Sequence, residues 1–131
     1  MRITRNGGFG PQDSRDGRHL FYLSHFPGQN GTAKLMRAPV DGGQESVVLD
    51  GVRPLLWSVT NNGIVLVTRE SDFDALDVYR FSDQRVARLG RLGFRIPAIY
   101  TQMTVSRDGR WALATEMVRH DSDLTLLDNF R

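Results

Sequence analysis

Short polar turns that contain glycine alternate with strongly apolar runs along this chain. The sequence Ser-Arg-Asp-Gly-Arg stands at residues 14–18 and again at residues 106–110, each time directly before an apolar run. Asn62-Gly63 is a weaker version of the same turn. The glycines of the three turns, Gly17, Gly63 and Gly109, are spaced by 46 residues. A fixed period of this length predicts a repeat protein.

The apolar runs have the composition of β-strands. They are rich in β-branched and aromatic residues and are bounded by Gly, Pro, Asn and Asp. No window of about eleven or more residues keeps a helical period without a breaker. The sequence therefore predicts an all-β chain. Its predicted strands are residues 9–13, 19–24, 33–38, 46–49, 55–59, 64–68, 76–81, 85–89, 100–105, 110–117 and 123–127.

Antiparallel four-stranded units that repeat about every 40 to 50 residues are typical of the blades of a β-propeller. We predict about three blades, at residues 9–52, 53–97 and 98–131, in a single propeller segment. This segment is either a partial propeller or one half of a six-bladed ring. The last blade lacks its outer strand, and residues 1–8 are predicted to be the outer strand of a neighbouring blade. A β-solenoid is disfavoured because its coils are shorter, and a β-sandwich would not require a fixed period.

The bulk composition excludes several classes of function. The chain has 131 residues and no cysteine, so disulfides and thiolate zinc sites are excluded. Its 17 Lys and Arg against 15 Asp and Glu leave a net charge of +2, too small to predict direct nucleic-acid binding. No apolar run is long enough for a membrane span, and residues 1–8 lack the apolar core of a signal peptide. We therefore expect a cytoplasmic chain without membrane association, or a periplasmic one if it is a fragment.

The repeated turns resemble those of the TolB-like, WD-repeat-like propeller family, whose blades carry Ser-Pro-Asp-Gly and then Arg or Lys ahead of an apolar strand. Residues 14–18 and 106–110 match this pattern, with Arg in place of Pro. Residues 36–43 are similar to the family's third strand and turn. Residues 122–131 are similar to the end of propellers in bacterial proteins with an N-terminal winged helix. The resemblance implies a propeller fold but no single activity, because propellers host binding, scaffolding and enzymatic roles.

The turn residues are interpreted as structural. They are Asp16, Gly17, Asn62, Gly63, Asp108 and Gly109. Glycine supplies the positive φ of a tight hairpin turn, and Ser and Asp side chains accept hydrogen bonds from its backbone N–H groups. A calcium loop would need further oxygen ligands over about twelve residues, and none follows. We predict no metal and no cofactor.

No catalytic residues are predicted, and the chain is not expected to be an enzyme. Its histidines, at positions 19, 25 and 120, form no metal-binding pair, and no Gly-x-Ser-x-Gly elbow is present. Ser24-His25 is interpreted as a strand end. Trp57 and Trp111 are predicted to pack between blades.

The loops at one end of the predicted blades form the candidate contact surface, which we call the loop face. Its residues are Arg53, Asp72, Asp74, Arg95, His120 and Asp121. The first hypothesis is a non-catalytic module that binds a protein or a small-molecule ligand, with its identity left open. The alternative is the gating propeller of a larger prolyl-oligopeptidase-like peptidase. A homodimer would complete a six-bladed ring if residues 2–4 of each copy paired with residues 123–127 of the other.

Overall fold

The computed structural model describes residues 7–28, 31–96, 103–118 and 121–128, with side chains up to residue 113. The chain divides into two compact units, Met1–Pro54 and Leu55–Arg131. All the regular structure in the described residues is β-strand, arranged in three antiparallel sheets. This confirms the predicted all-β class.

The first unit contains a four-stranded sheet in which consecutive strands are neighbours. Its strands are β1 (Phe9–Asp13), β2 (His19–Leu23), β3 (Ala33–Pro39) and β4 (Ser46–Val52). Every pairing is antiparallel. Leu23 and Leu35 pair in register on the two central strands and have no exposed surface. Burial of these apolar side chains is the main favourable contribution to folding of the sheet.

The second unit contains a four-stranded and a three-stranded sheet. The first comprises β5 (Trp57–Val59), β6 (Gly63–Arg69), β7 (Asp74–Arg80) and β8 (Val86–Arg91), again with consecutive strands as neighbours. The second comprises β9 (Met103–Val105), β10 (Trp111–Val118) and β11 (Asp121–Asp128). Within the described ranges this sheet has no fourth strand, which agrees with the predicted blade that lacks its outer strand.

An apolar core joins the two sheets of the second unit. Its buried members are Leu56, Val65, Val67, Leu76, Ile96, Met103, Val105 and Ala112. Two backbone hydrogen bonds also link the sheets: the Met103 N–H donates to the Leu55 carbonyl at 3.1 Å, and the Asn61 N–H donates to the Arg107 carbonyl at 2.8 Å. The two blades of this unit are therefore packed and hydrogen-bonded directly to each other.

The turn at residues 14–18 is closed by side chains of its own sequence. The Ser14 hydroxyl donates to Asp16 Oδ1 at 2.6 Å, and the Arg18 N–H donates to the same oxygen at 3.0 Å. The His19 N–H donates to Ser14 Oγ at 3.0 Å. Gly17 has a φ of +70°, a conformation that a side chain would strain. The hydrogen bond from Ser14, followed by that from the Arg18 backbone, lowers the pKa of the Asp16 carboxyl.

The turn at residues 106–110 repeats this arrangement bond for bond. The Ser106 hydroxyl donates to Asp108 Oδ1 at 2.7 Å, and the Arg110 N–H donates to the same oxygen at 3.0 Å. The Trp111 N–H donates to Ser106 Oγ at 3.1 Å, and Gly109 has a φ of +74°. The shared five-residue sequence thus produces the same local structure in both units.

Gly63 does not occupy the predicted turn position, and this prediction is wrong. The turn between β5 and β6 consists of residues 60–62, and Gly63 is the first residue of β6, with no positive φ. Thr60 closes the turn: its N–H donates to the Gly63 carbonyl at 2.8 Å, and its hydroxyl oxygen accepts the Gly63 N–H at 3.2 Å. Asn62 remains in the turn, as predicted.

Strand register explains why the even spacing of the glycines was misleading. Leu20, Ile64 and Ala112 each pair with the last residue of the preceding inner strand, so these three positions are equivalent. The middle turn is two residues shorter than the other two, which moves Gly63 into the strand. There its lack of a side chain has a different cause, because a Cβ would collide with the backbone carbonyl of Tyr79.

Two further sequence predictions differ from the structure. Strand β5 begins at Trp57 and not at Leu55, because Leu55 lies in a turn with a φ of +64°. Trp57 is buried, but Trp111 is 40% exposed at the start of β10, so its predicted burial between blades is wrong. The proposed N-terminal strand at residues 2–4 lies outside the described residues. The described residues contain no helix that could cross a membrane.

Candidate functional site

The β6–β7 loop (residues 70–73) and the first part (residues 92–96) of the connector between β8 and β9 meet at one end of the four-stranded sheet of the second unit. Strand β6 ends at Arg69 and β7 begins at Asp74, so these two residues face each other across the base of the loop. The Leu92 N–H donates to the Asp74 carbonyl at 2.8 Å and brings the connector to the same place. Residues far apart in sequence are thereby gathered around one loop.

Asp74 is the centre of this arrangement. Its carboxylate has no exposed surface and accepts two hydrogen bonds from Arg69, from Nε to Oδ1 and from one terminal nitrogen to Oδ2, both at 2.9 Å. Oδ2 also accepts the Ile96 N–H at 2.7 Å. Arg69 in turn donates to the Ile96 carbonyl, and its bonds to Asp74 raise the pKa of its guanidinium. We call this set of contacts among Arg69, Asp74 and Ile96 the connector clamp.

Arg95 fixes the tip of the loop to the connector. Its terminal nitrogen donates to the carbonyls of Glu70 and Ser71 at 3.2 and 3.3 Å. Both acceptors are backbone carbonyls of the loop, so one side chain of the connector satisfies two polar groups of the loop. The loop conformation is therefore set jointly by the clamp at its base and by Arg95 at its tip.

Arg88 of β8 links the outer strand to the loop. It donates to Asp77 at 2.9 Å and to Glu70 at 2.8 Å, and these bonds, that to Asp77 first, raise the pKa of its guanidinium. Asp77 also accepts the Thr68 hydroxyl at 2.7 Å. Because both carboxylates already have a cationic partner, we interpret Glu70 and Asp77 as structural.

The ring of Phe73 forms cation–π contacts with two arginines. The guanidinium carbon of Arg91 lies 3.9 Å from the ring centroid and that of Arg88 lies 5.6 Å away. Within the described part of the chain, Arg91 forms no ion pair. Asp72, which precedes Phe73 in sequence, is exposed and makes no hydrogen bond there. Asp72, Phe73, Arg91 and Arg95 together form a surface that we call the charged patch.

The architecture of this chain is found in solved structures although its sequence is not found in known families. No protein family and no curated protein matches the sequence. The structure, in contrast, matches TolB from Acinetobacter baumannii with a TM-score of 0.69 and 12% identity, over 95% of this chain. The chain has the fold of a TolB-like β-propeller. The fold implied by the resemblance of the repeated turns to TolB-like propellers is thereby confirmed.

Other structures agree with a TolB-like propeller. A TolB-type protein from Agrobacterium tumefaciens matches with a TM-score of 0.62 and 14% identity, over 88% of this chain and 40% of its own. A prolyl endopeptidase matches with a TM-score of 0.56 and 14% identity, over 91% of this chain and 20% of its own. This chain covers 30% of the length of the Acinetobacter baumannii TolB. It therefore spans less than half of each of these three structures. None of them supports the predicted likeness to proteins with a winged helix.

The TolB-like propeller places the predicted loop-face residues in different environments. Asp72 and Arg95 lie together at the β6–β7 loop and are exposed. Asp74 is fully buried in the connector clamp, so its side chain is not on the surface. Arg53 is 6% exposed in the first unit, and Asp121 is the first residue of β11. His120 lies outside the described residues.

Sequence reasoning missed Phe73 and Arg91 as members of the surface. Arg91 is near Phe73 because β7 and β8 pair with a register shift between Leu76 and Asp77, and such a shift is not visible in the sequence. The alternation of aromatic and acidic residues in Asp72-Phe73-Asp74 was the available signal.

Metal-binding groups and nucleophilic side chains are the other candidate chemistry among the described residues. No group of three or more His, Cys, Asp or Glu side chains in the described residues is placed to hold a metal ion. Ser24 Oγ and His25 Nδ1 are 3.0 Å apart in the first unit, but the pair is exposed and adjacent in sequence. A catalytic serine requires a base that a third group orients. In the charged patch the half-buried ring of Phe73 is stacked against the exposed Arg91, and the exposed Asp72 precedes it in sequence.

Proposed function

We propose that this chain is a non-catalytic propeller module for protein interaction or ligand sensing, and that the charged patch is its contact surface. The observation that carries the proposal is the stacking of Arg91 on Phe73 beside the exposed Asp72. Arginine and aromatic side chains dominate the binding energy of protein interfaces. A cation on an aromatic ring at an exposed site contributes about 0.5–1 kcal/mol, enough to orient the guanidinium before a partner arrives.

The connector clamp supports this proposal because it makes the loop rigid. A loop that is fixed before binding loses less conformational entropy in the complex. Asp74 and Arg95 hold the loop from its base and its tip, so Asp72 and Phe73 are presented in one conformation. In this proposal Asp74 contributes to binding by positioning the loop and does not touch the partner.

A charge-reversal experiment tests the contact surface. The chain and its Asp72→Lys/Arg91→Glu variant are immobilised, and proteins and small molecules retained from a lysate of the source organism are quantified by mass spectrometry. Arg85→Glu is the matched control, because Arg85 is exposed in the same unit but outside the charged patch. We expect a partner that the native chain and the control retain and that the patch variant retains about tenfold less. Identical retention by all three proteins would contradict the proposal.

A second candidate function rests on the match to the prolyl endopeptidase structure. In that case the chain is the gating propeller of a larger peptidase, and the catalytic residues lie in another domain. The coding sequence on either side of this chain distinguishes the two candidates. A hydrolase domain with a Gly-x-Ser-x-Gly elbow would favour the peptidase, whereas its absence there would favour the binding module.

We also propose that two copies assemble so that six blades complete a ring. An open strand edge and the apolar surface between blades are unfavourable in water, and pairing of two chains would cover both. Light scattering on the purified chain tests this. We expect a mass of about twice 14.8 kDa that is lost on deletion of residues 1–5. A monomer at micromolar concentration would rule the dimer out.

A further inference from the structure

A cavity of about 330 Å³ opens between the two sheets of the second unit, at the end opposite the β6–β7 loop. Its floor is a row of apolar side chains from three neighbouring strands, Val65, Val78 and Ala87, which pair directly with one another. Binding sites for small molecules are usually apolar cavities of roughly 300–1,000 Å³ with a few polar groups. The size and floor of this cavity fall in that class.

The short middle turn borders this cavity. Gly63, at the end of that turn, and Gly109, in the turn of the next blade, both line it, and neither has a side chain that could fill it.

The polar residues that line the cavity are Thr60, Asn62, Arg80, Arg88 and Asp108. Of the two arginines, Arg88 is already bonded to Asp77 and Glu70. Arg80 donates to Asp83 through Nε and one terminal nitrogen, at 3.3 and 2.8 Å, which leaves its other terminal nitrogen unused within the described part of the chain. The side-chain amide of Asn62 likewise makes no hydrogen bond to any described residue. Both groups offer N–H donors beside the apolar floor. A ligand that satisfied them would carry a hydrogen-bond acceptor.

Asp108 also lines the cavity and opposes an anionic ligand. Its Oδ1 accepts the Ser106 hydroxyl and the Arg110 N–H, so part of its negative charge is stabilised by its own turn. The guanidinium of Arg80 has more than one unused N–H and can donate to a second carboxylate in addition to that of Asp83. The unused N–H donors of Arg80 therefore favour an anionic ligand over a cationic one.

We infer that this cavity is a binding site for a small amphipathic carboxylate, with the apolar part of the ligand on the Val65–Val78–Ala87 row and the carboxylate at Arg80. Arg88 connects this cavity to the charged patch, because it lines the cavity and its guanidinium carbon lies 5.6 Å from the centroid of the Phe73 ring. The chain would accordingly have two recognition sites linked by one arginine, one for a partner at its surface and one for a small molecule.

Binding of octanoate to the full 131-residue chain tests the inference, with octylammonium as the probe of opposite charge. Amide chemical shifts and isothermal titration measure where and how tightly each probe binds. We expect octanoate to shift the amides of Val78, Ala87 and Gly109 and to bind at least about fivefold more tightly than octylammonium, as a charge-assisted hydrogen bond would provide.

Two variants separate the roles of charge and volume. Arg80→Gln keeps the cavity and should weaken octanoate about fivefold to tenfold, whereas Ala87→Trp fills the floor and should abolish binding. Arg85→Gln removes an arginine that does not line the cavity and should bind octanoate like the native chain. Equal binding of both probes, tighter binding of octylammonium, or unchanged binding by Arg80→Gln would overturn the inference. Thermal unfolding of each variant verifies the fold, and the Arg80→Gln result decides the matter if Ala87→Trp does not fold.

Discussion

Removal of Arg69 should destabilise the second unit more than removal of the charge on Asp74. In Arg69→Met the carboxylate of Asp74, with no exposed surface, loses its cationic partner and stays in a site that water does not reach. Loss of one partner of a buried pair costs about 3–5 kcal/mol. The Arg69 side chain is 32% exposed, so the pair is partly screened and we expect the lower end, about 3 kcal/mol.

Removal of the charge on Asp74 leaves Arg69 without its ionised partner, and the Arg69 side chain can reach solvent. In Asp74→Asn the side chain keeps its shape and an oxygen for the Ile96 N–H, and the partly exposed Arg69 can turn toward water. We therefore expect a loss of about 1–2 kcal/mol, the cost of the weakened hydrogen bonds. The double variant Arg69→Met/Asp74→Asn should be more stable than the sum of the two single losses predicts, because the buried charge is gone.

Urea unfolding followed by tryptophan fluorescence measures these differences. Both tryptophans of the chain, Trp57 and Trp111, belong to the second unit, so the signal reports on the part that contains the clamp. Arg80→Met is the control, since it removes an arginine from an exposed ion pair with Asp83, and we expect no measurable change. If Asp74→Asn were more destabilising than Arg69→Met, or if Arg69→Met behaved like the control, the reasoning on the buried carboxylate would be refuted.

Three further predictions concern the turns and the absence of catalysis. Gly17→Ala should lower the free energy of unfolding by about 1–2 kcal/mol, because Gly17 has a positive φ. Gly63→Ala should lower it more, because the new Cβ would collide with the Tyr79 carbonyl. Chemical unfolding measures both, and a larger loss for Gly17→Ala would contradict this order. The carboxyl of Asp16 should titrate in NMR with a pKa below its ordinary value of 3.8. The stabilisation that the ionised carboxylate gives the turn is therefore lost only as the pH falls through that lowered pKa. Ser14→Ala should raise the pKa again, because it removes the hydrogen bond from the Ser14 hydroxyl. The purified chain should show no hydrolysis of generic ester or peptide substrates, and turnover that disappears in Ser24→Ala would overturn this expectation.

Local sequence predicted local structure well. The five residues Ser-Arg-Asp-Gly-Arg contain every side chain that closes the turn at residues 14–18, and the only other groups are the backbone N–H and carbonyl of His19, so the pattern is sufficient to predict the turn. The same holds for residues 106–110. Gly63 was misplaced because equal spacing along a sequence implies equivalent positions only if the intervening loops have equal length.

The environment of Asp74 could not be predicted in the same way. An aspartate in an acidic stretch is usually solvated, and nothing near it in sequence indicates burial. Its burial depends on Ile96, 22 residues later, and on the path of the connector. Phe73 and Arg91 were missed for a related reason, since their contact depends on the register between two strands.

The self-contained bonding of the two Ser-x-Asp-Gly-Arg turns has a consequence for the order of folding. Their side-chain hydrogen bonds span two to five residues, whereas the two bonds that tie Asp74 and Arg69 of the connector clamp to Ile96 join residues 22 and 27 apart. Contacts between residues close in sequence lose little chain entropy when they form, and distant ones lose more. We expect the turns to be formed in the transition state and the clamp to close after it. Folding and unfolding rates of Ser14→Ala and Arg69→Met would then give a high φ-value for the turn and a low one for the clamp.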